Sequence, residues 1–110
     1  MRNYQDQIDE ANWFYARKLV NNLLSRGLYV TADDGESCET LPTRDADAVL
    51  KYLGTTHMDT IRAYSRDAGG LRFKGSFTLI WGESLDPIYS HSGNRLTEIV
   101  CDEVTGKVAA

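Results

Sequence analysis

Residues 60–82, TIRAYSRDAGGLRFKGSFTLIWG, decide the fold class. Thr60 to Ser65 and Leu71 to Trp81 are rich in β-branched and aromatic residues. The loop Arg66-Asp67-Ala68-Gly69-Gly70 between them supplies the glycines that a reversing chain needs. Two strands joined in this way are antiparallel neighbours. In the second, Phe77, Leu79 and Trp81 alternate with Ser76, Thr78 and Ile80, which directs one face toward a core. A turn over Gly82-Glu83-Ser84-Leu85-Asp86-Pro87 and a short strand from Ile88 to Ser90 continue the meander.

Working toward the N-terminus, Pro42-Thr43 marks a boundary, with Thr43 placed to cap a short helix that runs to Leu53. Asp45 and Asp47 lie in its first turn, Ala46, Val49, Leu50 and Leu53 share one face, and Gly54 stops it. Leu28 to Ala32 reads as a strand. Asp33-Asp34-Gly35-Glu36 is a tight-turn signal, and Ser37 to Leu41 is the expected returning strand. Before these, about Gln5 to Arg26 is expected as a long amphipathic helix with Ile8, Ala11 or Asn12, Tyr15, Leu19 and Leu23 at three- and four-residue steps, Ala16, Val20 and Leu24 widening the stripe, and Gly27 ending it. Trp13 and Phe14 fall beside that stripe, where they widen the core face or form an interaction patch.

Toward the C-terminus, Asn94 caps a terminal helix with Leu96, Ile99, Val100 and Val104 on one side. A strand over 97–104 is the alternative, since Thr97, Ile99 and Cys101 also alternate. Residues 1–4 and 105–110 are expected to fray. Strands follow strands here instead of alternating with helices. The expected fold is therefore a single α+β domain over 1–110, with an antiparallel sheet of about five strands and the long and short helices packed on one face.

At 110 residues the chain is too short for the large catalytic folds, and its 42% hydrophobic content is that of a globular domain. No apolar run approaches the ~20 residues of a membrane helix. The first residues turn polar at once and hold no export core, so the expected address is the cytoplasm, with Cys38 and Cys101 reduced. The net charge of -4 is unevenly placed: residues 28–60 carry seven acidic and two basic groups, while 61–82 carry one acidic and four basic. Such a chain is a poor binder of nucleic acid, and the only stretch suited to phosphate is Arg62, Arg66, Arg72 and Lys74.

Motifs for chemistry are missing. There is no G-x-S-x-G, since Gly82-Glu83-Ser84 lacks the second glycine, no phosphate-binding glycine loop and no metal-ligand spacing around His57 or His91. No cofactor and no metal is expected. A metal-independent nuclease-like toxin or hydrolase built from His57 and His91, with Tyr64 and Arg62 or Arg66, is the alternative reading, because such chemistry needs two acid–base groups straddling a phosphate and a cation on the developing charge. The conspicuous feature is acidic: Asp33, Asp34, Glu36 and Glu39 around the turn, then Asp45 and Asp47. Those carboxylates suit the basic surface of a protein partner, with Trp13 and Trp81 as apolar hot spots beside them or in a homodimer interface. The leading expectation is thus a non-enzymatic protein-binding module.

Gly75-Ser76-Phe77-Thr78-Leu79-Ile80-Trp81-Gly82-Glu83, followed by Asp86-Pro87-Ile88-Tyr89-Ser90, resembles small phage- and prophage-encoded accessory proteins with a G-x-h-x-h-h-Y-G-N … D-V-I-x-D core, h being apolar. The resemblance spans about 28–100. Trp81, Glu83, Pro87 and Ser90 depart from the pattern. It carries no catalytic residues and implies a protein that binds a host or phage component, in a group where inhibitors of bacterial defence complexes, anti-CRISPR proteins among them, occur.

Overall fold

A computed structural model describes residues 3–35 and 40–106. The chain opens with α1 (Tyr4–Ser25), whose first turn is capped by Asn3 accepting the Asp6 N–H at 2.8 Å. Its buried stripe is Ile8, Asn12, Ala16, Leu19, Val20 and Leu23, the helical period read from the sequence with Asn12 in an otherwise apolar row. Then come β1 (Tyr29–Asp33), α2 (Ala46–Tyr52), β2 (Met58–Asp67), β3 (Gly70–Ile80), β4 (Ile88–His91) and α3 (Arg95–Thr105). The four strands form one antiparallel sheet in the order β1-β2-β3-β4.

One face of the sheet is filled. Val30 and Ala32 on β1, Ile61 and Ala63 on β2, and Phe77 and Leu79 on β3 join the buried residues of the three helices in a single cluster. The other face, with Tyr29, buried Thr31 and Asp33 on β1, Met58, Thr60, Arg62 and Tyr64 on β2, and Ser76, Thr78 and Ile80 on β3, carries no helix among the described residues. Two bulges shape the sheet. Lys74 is the extra residue where pairing steps from Ala63↔Gly75 to Tyr64↔Phe73, and Tyr89 is the extra one between Thr78↔Ser90 and Leu79↔Ile88.

Two expectations are corrected, the strand count and the start of the short helix. The described residues hold four strands, not about five. Most of the expected returning strand, Ser37 to Leu41, lies outside the described residues. The segment after it makes one bridge, Val30↔Thr43, with Thr40 N–H on the Ala32 carbonyl at 2.9 Å. Pro42, without an N–H, cannot continue a ladder. The short helix starts later than expected because Thr43 spends its N–H and carbonyl on Val30, so Asp45 becomes the cap and accepts the Asp47 N–H at 3.0 Å. The terminal element is a helix: Asn94 accepts the Thr97 N–H at 2.9 Å, and Thr97, Val100 and Val104 take the buried face. Gly106, in the left-handed region at φ 76, ends it.

Candidate functional site

The Met58 end of the helix-free face gathers carboxylates from separate connections. Asp33 closes β1, and its side chain does two local jobs. Oδ1 accepts the Gly35 N–H at 2.8 Å, while Oδ2 meets Arg62 Nη1 at 3.1 Å. The Gly35 N–H first, and then Arg62, hold the Asp33 carboxyl below its ordinary range. Gly35 has φ 81, as the Asp-Gly turn signal requires. The Asp34 carbonyl accepts from Thr56 Oγ1 at 3.4 Å, which brings this turn against the approach to β2.

Next to Thr56, His57 faces the β3–β4 connection, with Nε2 3.5 Å from Glu83 Oε1. His57, Ile80, Glu83, Asp86 and Tyr89 line a cleft of about 330 Å³. Asp86 is held there by its own turn, Oδ1 accepting the Ile88 N–H at 2.9 Å. Met58 and Tyr89, at 47% and 73% exposure, add apolar surface beside the carboxylates. Glu83 and Asp86 were not among the acidic residues singled out from the sequence; only closure of the meander brings them to one cleft with His57.

The remaining acidic candidates are elsewhere. Asp45 and Asp47 sit at the start of α2, near the Tyr29 end of β1, one as its cap and the other in its first turn. Glu36 and Glu39 lie outside the described residues.

The two tryptophans meet each other. Trp13 and Trp81 stack with ring centroids 5.1 Å apart at 35°, both half-buried against the core. Gly54, at φ 81, lets Trp13 close over the chain, since a Cβ there would lie 3.0 Å from its ring. Beneath them is a group the sequence reading missed. Asp59 is fully buried, and its Oδ2 accepts Trp81 Nε1 at 2.6 Å and the Gly54 N–H at 2.9 Å. Its Oδ1 has no hydrogen-bond partner among the described residues. Burial raises the Asp59 carboxyl above its ordinary value, and the charges of Asp34 and Asp33 push the same way, against the two hydrogen bonds. A signal for it was present: Asp59, Ile61 and Ala63 share one phase of the strand. Asn12 is the second missed group. It fastens α1 to the β3–β4 connection by accepting the Gly82 N–H at 2.9 Å and donating to the carbonyls of Ser84 and Leu85 at 2.7 and 2.9 Å.

Comparison with family models, with curated proteins and with solved structures finds no match to this chain.

The histidines are not brought together. The His57 carbonyl bonds the Trp81 N–H on one flank of β3, while His91 pairs with Phe77 on the other. Four residues of β3, about 13 Å, separate these levels. His91 is occupied locally, Nδ1 accepting the Gly93 N–H at 3.0 Å and lying 2.9 Å from Thr97 Oγ1. Among the described residues no group of three His, Cys, Asp or Glu side chains is placed to hold a metal ion, and no helix is long and apolar enough to cross a membrane.

Proposed function

We propose that this chain is a non-enzymatic protein-binding module that covers a cationic surface of its partner. The observation that carries the reading is the makeup of the Met58 end: Glu83 and Asp86 line one cleft with exposed Tyr89, and the Asp33-Asp34 turn is bonded to Thr56, two residues before exposed Met58. Apolar groups ringed by one sign of charge suit a partner that presents lysine and arginine around an apolar contact. The charge speeds and orients encounter, while Met58 and Tyr89 supply desolvated contact. Asp33 takes no direct part in this reading, because Arg62 answers its charge within the fold. In the setting that the sequence pattern resembles, a phage-encoded inhibitor of a bacterial defence complex, the covered surface would be one that otherwise holds nucleic acid.

The test is paired affinity capture from one lysate, with the wild-type chain and the Asp34→Lys/Glu83→Lys/Tyr89→Ser variant as baits, quantified by mass spectrometry. A protein enriched on the wild type, lost from the variant and released by raised salt is the expected result. Equal recovery of every binder by both baits would overturn the reading.

A further inference from the structure

The opposite end of the same face has the reverse character. Tyr29, Tyr64 and Phe73 are successive cross-strand partners on β1, β2 and β3, so their rings form one row across three strands. Tyr64 and Phe73 meet edge to face at 5.9 Å. Phe73 remains 54% exposed, and Leu71, two residues along β3, 44%. Cations surround the row. The Arg66 guanidinium lies 5.8 Å from the Tyr29 ring centre and that of Arg44 5.9 Å, while Lys74 occupies the bulge beside Phe73. Arg62 and Arg72 are tied to Asp33 and Asp67, but Arg44, Arg66 and Lys74 enter no ion pair among the described residues. Arginine and aromatic side chains with half their surface in water are the composition of interface cores and not of ordinary solvated surface.

We infer that this row is a docking site for a short acidic segment of a protein partner, one in which carboxylates alternate with apolar side chains. The apolar side chains rest on Leu71 and Phe73, and the carboxylates meet Arg66, Arg44 and Lys74. Charge complementarity decides the sign of the occupant, and two observations decide its class. Tyr29 already carries two guanidinium groups, which leaves Phe73 as the open ring of the row, whereas a nucleic acid strand needs successive platforms for successive bases. In addition, from Tyr64 to Met58 the face runs about 20 Å into carboxylate territory, only two to three screening lengths away, so a long polyanion would be repelled where a short segment is not. The inference uses only the charge of the acidic end and does not depend on what that end binds.

The experiment titrates the isotope-labelled full chain with a synthetic decapeptide alternating aspartate with leucine and phenylalanine, followed by backbone amide shifts. Saturable shifts centred on residues 64–66 and 71–74 are expected. Phe73→Ser and Arg66→Glu, both exposed and checked for native circular dichroism, should each weaken binding by about tenfold or more. Glu83→Lys, which disables the acidic end, should leave it unchanged, so the two proposals fail separately. Absence of saturable shifts at millimolar peptide would overturn the inference. So would equal binding of a peptide with lysine in place of aspartate, tighter binding of an oligothymidine strand, or a concentration-dependent dimer that Phe73→Ser dissolves.

Discussion

Replacing Gly75 by alanine isolates the contact that seats the terminal helix on the sheet. Gly75 lies in β3 without a positive φ, so its backbone alone does not demand glycine. Its neighbour does: a Cβ would stand 2.4 Å from Thr97 Cγ2, 3.3 Å from Ser92 Oγ and 3.5 Å from Asn94 Nδ2. Carbon–carbon contacts settle at about 3.5–4.0 Å, so the first falls short by more than ~1 Å. Thr97 is fully buried and bonded at the cap of α3, and cannot swing away without the helix. Overpacking of this kind costs about 1–3 kcal/mol. Stiffening the unfolded chain returns about 0.4–1 kcal/mol. The net expectation is a loss of about 1–2 kcal/mol, read as a fall in melting temperature of roughly 4–10 °C. Thr97→Ser removes the offending methyl and keeps the hydroxyl. On that background Gly75→Ala should be neutral within about 0.5 kcal/mol, giving a coupling energy of at least about 1 kcal/mol in a double-mutant cycle by urea denaturation. If Gly75→Ala matches the wild type, or costs the same on both backgrounds, the close approach of α3 to β3 is not what restricts this position.

Two further predictions concern the buried polar groups. Because the folded-state value of Asp59 is raised above the ordinary 3.8, the stability it contributes is full below that value and lost as pH rises through the raised one. Asp59→Asn should therefore gain on the wild type as pH rises from about 4 toward neutrality in paired chemical denaturations; a gap that narrows over that range would contradict the assigned cause. Asn12→Ala removes the acceptor for Gly82 N–H and both donors to Ser84 and Leu85, so a loss of about 2–4 kcal/mol is expected with faster amide exchange at Gly82. Unchanged exchange there would show that the β3–β4 connection is held by something else.

Much of the fold was legible because its signals are local. The apolar period of residues 8–24, the glycine pair closing the central hairpin and the Asn94 cap each work within a few residues, and each element appears within a residue or two of where its signals lie. Thr43 misled because its role was set by Val30, thirteen positions away, which took its backbone groups before a helix could. The site was legible only as composition. Nothing local in Asp33-Asp34 announces the contact of Asp33 with Arg62, which depends on a register that puts Arg62 opposite Thr31 and within reach of Asp33. The meeting of Glu83 with His57 requires the β3–β4 connection to fold back beside the approach to β2, which no local pattern encodes.

The chain has two tryptophans, and they stack on one another above a single buried carboxylate. Its intrinsic indole emission is therefore a spectroscopic reporter of one corner, where α1 meets the end of β3. The overhanging tip of the central hairpin, with Leu71 and Phe73, is dark in that channel. A loss of tryptophan signal records the undocking of α1, and a far-ultraviolet trace that lags behind it would reveal a hairpin that outlives the helix laid across its base.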